Sequence, residues 1–270
     1  MELKRLCILA VTGAILISGL PLFSQNIPLK ITIGPTLQSQ TEIYKAGKAQ
    51  GYGVGAQMSF ILSNRLDFNL KLSYDYMALN QEDVLDEWEW QYWEDTYIDF
   101  LPGTDAEIVN KTLSYTSTDS IYSARFNPTQ RLEELRLFAG FAYTLPLYKS
   151  ISLYAGMDAG FSLFTRQLHM QEHWTKRFKL DSLSTGKFDY DFEYDLTHFA
   201  PPKKGAKLFA SPYMGIKVTL RPSIDLAMGV HYLYYLNRDS LLGIGLSEDG
   251  IKWFPIKSKA LITTGLVFKY

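Results

Sequence analysis

One cysteine, four histidines and a net charge of -1 leave this 270-residue chain little from which to build a reactive or strongly charged site. Cys7 lies inside the N-terminal apolar run, so the rest of the chain has no disulfide framework and no thiol nucleophile. Near-neutral charge removes the basic field that nucleic acid needs, and nucleic acid is not an expected partner. No Gly-rich phosphate loop, Ser-His-Asp arrangement or catalytic carboxylate pair stands out. No catalytic residue, cofactor or metal is therefore assigned, and the chain is read as non-enzymatic. Beyond Gln25 no apolar run approaches the roughly 20 residues of a helical span. The mature chain is then either soluble and secreted, or it crosses a membrane with strands.

Residues 1–24 read as a signal peptide. Lys4 and Arg5 precede an apolar run over residues 6–20, and Ser24 offers a small residue before a cleavage point at Gln25. A retained anchor fits less well, because Gly13, Gly19 and Pro21 interrupt a short run. Cys7 follows the charged residues too closely for a lipid-attachment site.

The remainder, residues 25–270, is dominated by period-two alternation. Residues 66–79 carry the clearest case. Leu66, Phe68, Leu70, Leu72, Tyr74 and Tyr76 fall on one face, and Asp67, Asn69, Lys71, Ser73 and Asp75 on the other. Only a strand separates those sets. The polar face is too charged for a protein core and the apolar face too continuous for water. Similar segments occur at residues 29–39, 51–63, 131–145, 151–165, 207–220, 224–236 and 257–270, which makes eight strands. Glycines at 51, 53 and 55 suit the crowded inner face of a narrow barrel. Long gaps over about residues 40–50, 80–130, 166–206 and 237–256 alternate with tight turns.

Aromatics make up 14% of the chain, with 18 Tyr and 16 Phe, and they sort into two levels. Tyr52, Tyr74, Tyr76, Tyr232 and Tyr234 fall near one end of the strands. Phe60, Tyr143, Phe268 and Tyr270 fall near the other. Two rings of aromatics are what a membrane girdle requires. The chain also ends on an aromatic, Tyr270, in an alternating segment. With these features the chain resembles the small eight-stranded outer-membrane β-barrels, in the form common in Bacteroidota. The resemblance implies an all-β, eight-stranded antiparallel up-and-down transmembrane β-barrel with long extracellular loops and both mature termini in the periplasm. It implies contact with outer-membrane lipid, and insertion machinery that reads the last strand with Phe268 and Tyr270. The alternatives are a barrel enzyme acting on the envelope, and a soluble lipocalin-like carrier. The carrier predicts the opposite polarity, apolar within and polar without.

Eight strands leave an interior only wide enough for side chains. The expected inward set is Asp67, Lys71, Asp75, Glu134, Arg136, Asp158, Asp225, His231 and Lys259, paired into a plug rather than lining a pore. Function then moves to the loops, where all five tryptophans lie. Residues 86–95 alternate Trp88, Trp90 and Tyr92 with Glu87, Glu89 and Gln91, and Trp93 follows. Residues 188–195 alternate Phe188, Tyr190, Phe192 and Tyr194 with Asp189, Asp191, Glu193 and Asp195. Both segments read as strands continuing above the membrane. The aromatics are expected to pack on each other, leaving an acidic face for a ligand, a cation or a basic partner. The candidate surface is Trp88, Trp90, Tyr92, Trp93, Glu87, Glu89, Asp189, Asp191 and Glu193, and the expected partner is a larger outer-membrane complex. Asp-Ser-apolar triplets resemble Bacteroidota O-glycosylation sites at Ser120, Ser182 and Ser240. His169, Glu172 and His173 match the spacing of a zinc peptidase motif, which needs a helix. They are read as a chance match in a strand-forming chain.

Overall fold

The computed structural model describes residues 29–43, 47–81, 83–99, 105–179, 190–236 and 253–269. The signal-peptide reading over residues 1–24 lies outside them. Among the described residues, eleven strands form one antiparallel sheet: β1 (Leu29–Ile43), β2 (Gly47–Ile61), β3 (Leu66–Gln81), β4 (Glu107–Val109), β5 (Thr112–Thr116), β6 (Ser120–Tyr148), β7 (Ile151–Phe178), β8 (Tyr190–Phe199), β9 (Lys203–Arg221), β10 (Ile224–Tyr235) and β11 (Ile256–Lys269). Eight close into a ring, β1-β2-β3-β6-β7-β9-β10-β11, because β6 pairs with both β3 and β7 and β11 pairs back onto β1. β1 begins and β11 ends at the rim where the short turns lie. There the Thr219 and Lys269 amides donate to the Ser150 and Ser223 carbonyls, which tie the turns to the neighbouring strands.

The polarity is that of a barrel in lipid. Leu70, Leu72, Leu135, Leu137, Met157, Met214, Met228 and Val230 face outward and are exposed. Asp75, Glu134, Arg136, Asp158 and Lys259 face inward and are buried. A continuous apolar exterior of this kind has no place in water, and with the charged lumen it overturns the carrier expectation. The outer face has aromatic rows at two levels. Tyr52 meets Tyr76 at 5.8 Å. Phe60, Phe68 and Phe141 follow one another at 6.2 and 5.3 Å. On β3 the rows are eight residues apart, about 26 Å along the strand at roughly 3.3 Å per residue.

Ion pairs fill the lumen. Lys30 pairs with Asp67 at 3.0 Å, Lys71 with Asp158 at 2.6 Å and Lys269 with Asp225 at 2.6 Å. Higher up, Arg136 reaches Asp75 at 2.6 Å, and Lys259 joins Asp75 and Glu134. Tyr235 donates to Glu134 at 2.9 Å. His231 stacks on Tyr213 at 4.7 Å. Glycine makes room for the rings. A Cβ at Gly156 would sit 2.5 Å from the Tyr213 ring, and one at Gly229 would sit 2.4 Å from the Tyr154 hydroxyl. Above the charges lies an apolar layer that includes Met77, Leu132, Phe164, Phe209, Leu233, Phe254 and Ile256.

Three expectations are corrected. Most of the gap over residues 40–50 is strand, because β1 runs on to Ile43 beside β11 and β2 starts at Gly47 beside β3. The gaps 80–130 and 166–206 contain the upper halves of β6 and β7, 29 and 28 residues long, with β4, β5 and β8 paired beside them. These upper strands form a five-stranded sheet, β4-β5-β6-β7-β8, continuous with the barrel wall. Residues 84–98 are not a strand. They form α1 (Val84–Glu87), α2 (Gln91–Trp93) and a π-helical turn, Glu94–Ile98.

Two substitutions test this polarity. Leu72→Arg, midway between the aromatic rows on the outer face, is expected to cost about 2–4 kcal/mol in bilayers. Lys259→Met, which takes a cation from two buried carboxylates, is expected to cost about 3–5 kcal/mol. Urea unfolding in lipid vesicles measures both. A soluble barrel would tolerate the arginine.

Candidate functional site

The site is the extramembranous cap and the sheet that stands beside it. Beyond the barrel mouth the even residues of β6 and β7 still face the axis, but they become apolar: Ala124, Phe126, Leu168 and Met170 are buried. The helical segment packs into this wall. Val84, Leu85, Trp88, Trp90, Trp93 and Tyr97 share one cluster with those residues and Leu113. Trp93, Tyr97 and Phe126 contact one another at 4.8 to 5.2 Å. Trp93 Nε1 donates to Asp86 at 3.2 Å, which pins α1 to α2. Glu89 adopts φ 53° between Trp88 and Trp90, the left-handed turn that reverses the chain. That turn lets both tryptophans face inward from a segment that is not a strand.

Arg166 bolts the cap to the barrel. Its Nη2 donates to Gln81 at 2.7 Å and also to Gln130. Its Nε donates to Gln130 at 3.1 Å and its Nη1 to the Trp253 carbonyl at 3.3 Å. The guanidinium lies 4.9 Å over the Trp88 ring, and Trp88 meets Trp253 at 5.9 Å. One cation thus joins β3, β6, β7, α1 and the lead-in to β11.

Glu172 organises the other side of the cap. It is 1% exposed. It accepts from Trp174 Nε1 at 2.7 Å and from the Tyr92 hydroxyl at 3.2 Å, and His198 Nε2 lies 3.4 Å away. Tyr92 stacks on His198 with ring centres 4.3 Å apart. Burial pushes the Tyr97 phenol up, and the neighbouring Glu172 carboxylate adds to the rise. Burial likewise raises Tyr92. The His169, Glu172, His173 spacing is split by β7, since odd residues face out and Glu172 faces in. No group of three metal-ligating side chains occurs among the described residues.

The sheet continues above the cap with a distal inner face of aromatics. Tyr115 and Tyr122 stack at 4.7 Å and 9°. Trp174 and Tyr194 are near parallel at 6.3 Å, and Phe178 meets Phe192 edge-on at 5.3 Å. Lys176 sits among them, 4.7 Å from the Trp174 ring, 5.2 Å from Tyr194 and 5.9 Å from Tyr122. Tyr190 and Phe192 remain 45% and 41% exposed. The outer face of the same strands is charged: Arg177 pairs with Asp191 at 3.1 Å and His173 with Asp195 at 2.8 Å.

The candidate surface read from sequence is therefore redistributed. Trp88, Trp90 and Trp93 are cap interior and present no face to a partner. Tyr92 is half-buried against His198, and Glu87 accepts from Gln81 at 2.7 Å. Glu89, Asp191 and Glu193 face solvent. Asp189 lies outside the described residues, as do Ser182, Ser240 and Tyr270. The first ridge meets β8 where Tyr92 stacks on His198, beyond the second ridge rather than along it. Alternation on β8 holds for the residues described: Tyr190, Phe192 and Tyr194 face in, Asp191, Glu193 and Asp195 face out. Ser120 starts β6 rather than lying in open loop, and its hydroxyl contacts Ser117 Oγ at 2.9 Å and the Tyr122 hydroxyl at 3.1 Å. Phe268 pairs with Ile31 and Ile224 on the outer face at the short-turn rim. Sequence reasoning passed over Arg166, Lys176 and Tyr122 and met Glu172 only as part of a chance motif, although Tyr122, Ala124 and Phe126 carry a period-two signal of their own.

No known protein family and no curated protein sequence matches this chain. Among solved structures, the attachment invasion locus protein Ail of Yersinia pestis is 11% identical, with 91% of this chain and 100% of that chain covered and a TM-score of 0.35. Neisserial surface protein A is 12% identical over 90% of this chain and 97% of that one, with a TM-score of 0.36. A major outer membrane protein from Thermus thermophilus is 10% identical over 90% and 99%, with a TM-score of 0.41. Likeness at this level carries no functional argument, and function has to be read from the geometry of the cap and sheet.

The cap has an alkaline limit. An unfolded tyrosine loses its proton near pH 10, whereas folded Tyr97 holds it to higher pH. Above about pH 10 the folded chain keeps a proton that the unfolded chain has lost, so cap stability is full below that pH and falls as pH rises through it. Tryptophan emission is expected to shift red above pH 10 in the native protein. In Tyr97→Phe the shift should move to higher pH. An unchanged profile would count against Tyr97 as its source.

Proposed function

We propose that this chain is a non-enzymatic outer-membrane β-barrel that carries a rigid docking surface for a protein partner outside the membrane, as an accessory subunit of a larger envelope complex. One observation carries the reading: the barrel is filled and capped, while the upper strands hold a half-open aromatic face on the same sheet. Tyr115, Tyr122, Tyr190, Phe192 and Tyr194 around Lys176 have the composition of a protein contact surface, with large rings that lose little rotamer freedom on binding. The barrel exterior contacts outer-membrane lipid. An N-terminal signal over residues 1–24 would bring the chain to the envelope. The last strand, with Phe268 and Tyr270, would be the part that insertion machinery engages, leaving both mature termini periplasmic and the sheet outside. Ser120, Ser182 and Ser240 would be open to O-glycosylation only where their hydroxyls are free of other contacts.

The enzymatic alternative gains little support from the cap. His198 and Glu172 are an acid–base pair, but both Glu172 oxygens are engaged by Tyr92 and Trp174. Neither group has a serine or cysteine among its hydrogen-bond partners in the described residues.

The test is capture of partners from detergent-solubilised outer membranes, with heat-modifiable gel mobility read on the same sample. Native protein is expected to run as a heat-shifting band with stoichiometric partners. Tyr122→Ala with Phe192→Ala is expected to keep the heat shift and weaken capture at least tenfold, as loss of a contact centre does. Asp191→Asn with Glu193→Gln tests the acidic outer face. If only that pair abolishes capture, the docking surface is the outer face. If the protein fractionates with soluble proteins, the membrane reading fails.

A further inference from the structure

We infer that β8 receives an extended, basic segment of the partner protein as an added strand. Such attachment rests on the docking role proposed above for the upper sheet. β8 is ten residues long and ends that sheet, because it pairs with β7 and, among the described residues, with no other strand. β4, at the opposite end, is only three residues long. The Ala200 amide donates to the Leu168 carbonyl at 3.0 Å. The register, from Met170 opposite His198 to Phe178 opposite Tyr190, carries that parity along the ladder. The even residues of β8 therefore exchange hydrogen bonds with β7. The amides and carbonyls of Asp191, Glu193, Asp195, Thr197 and Phe199 point away from β7, along an open edge. An edge of this kind is a template for another strand.

Charge decides which strand fits. The outer face of that edge carries Asp191, Glu193 and Asp195, and β7 sets one arginine and one histidine against them. Arg177 takes Asp191 at 3.1 Å and His173 takes Asp195 at 2.8 Å. Glu193 lies opposite Thr175 and forms no ion pair among the described residues. The Asp191 and Asp195 side chains stay 55% and 79% exposed. A strand added beside β8 places its own outer side chains about 4.5–5.5 Å from these acids, where opposite charges attract and like charges repel. Lys or Arg at every second position fits. On the inner face the other positions continue the row of Tyr190, Phe192 and Tyr194, which favours aromatic or branched apolar residues. A second copy of this chain is a poor occupant, since antiparallel pairing of two β8 edges sets one acidic row beside the other. The same acids repel stray strands and select a basic one.

The probe is a short synthetic peptide of alternating lysine and valine, added to the full-length folded protein in detergent. Amide hydrogen exchange is read residue by residue by NMR. In the free protein the even amides of β8 are expected to exchange slowly and the odd ones fast. Bound peptide is expected to slow exchange at Asp191, Glu193 and Asp195 roughly tenfold or more, and salt is expected to weaken its binding. A peptide of alternating glutamate and valine is expected to leave those amides unchanged. Glu193→Pro removes one outward amide and no bond to β7, and is expected to keep the heat-shifting band and lose the peptide. Glu193→Gln keeps the amide and is expected to bind between native and Glu193→Pro. Odd amides left unprotected by the lysine peptide overturn the inference. So do equal binding of the two peptides, native binding in a heat-shifting Glu193→Pro, and odd amides protected without peptide as protein concentration rises. Where Glu193→Pro does not fold, exchange in the native protein still decides. The docking role fails separately: capture that survives Glu193→Pro but is lost in Tyr122→Ala with Phe192→Ala keeps docking and overturns strand addition. Peptide protection with no partner captured sinks docking and leaves the basic-strand edge standing.

Discussion

A strand that leaves a membrane must exchange its faces, and this structure depends on that exchange. Within the apolar band, lipid favours nonpolar residues on the outer face, and the narrow lumen accepts charge only in neutralised sets. Above the band, water surrounds the outer face, and the inner face must bury apolar surface or nothing holds it. β6 and β7 obey both rules along one continuous strand. Their odd residues are apolar at Leu135, Leu137, Leu153 and Leu163. Higher up, it is the even residues Ala124, Phe126, Leu168 and Met170 that are apolar and buried. The backbone pairing passes through this switch unbroken, from Pro146 opposite Ser152 to Ser120 opposite Phe178.

The crossover is where the two regimes have to be joined, and Arg166 stands at that level. Below it are charges satisfied by charges. Around it are the apolar residues Met77, Leu132, Phe164 and Phe254. Above it is the tryptophan cap. A guanidinium suits this place because it presents several donors in a plane and stacks on aromatic rings. Here it takes two glutamine side chains, one backbone carbonyl and the Trp88 face together. A lysine could not meet those partners at once. The barrel mouth is thus sealed by a hydrogen-bonded joint rather than by a loop folded loosely across it.

How much of this was legible in the sequence follows from the same physics. The eight barrel segments were legible because lipid enforces strict alternation, as at residues 66–79. The lumenal charge set was legible because a strand leaves those residues nowhere else to point. The upper halves of β6 and β7 were missed because the alternation changes parity there. Tyr122, Ala124 and Phe126 continue period two on the opposite face, so a search for the lower pattern stops at Arg131. The segment 86–95 misled for a different reason. Trp88 and Trp90 are two apart, as on a strand, but both are buried because Glu89 takes a left-handed turn between helical turns. Residue spacing alone does not distinguish these two ways of turning both rings inward. Arg166 owes its role to partners far along the chain, Gln81, Gln130, Trp88 and Trp253, and no local pattern marks it.

The distal aromatic face gains its character from how it is mounted. Loops that display side chains must be ordered when a partner binds, which costs free energy that never appears as affinity. Here Tyr122 and Lys176 sit on strands whose lower halves are barrel wall, and Phe192 and Tyr194 are held to them by the β7–β8 ladder. The rings stack on one another and on the Lys176 cation before any partner arrives. Such a face is preorganised, and preorganisation favours recognition by shape over adaptation. The acidic outer face of β8 serves a different end. Asp191, Glu193 and Asp195 line an edge strand, and charge there discourages pairing with stray strands. The two faces of one strand therefore differ in kind, one a row of stacked rings and the other a row of charge.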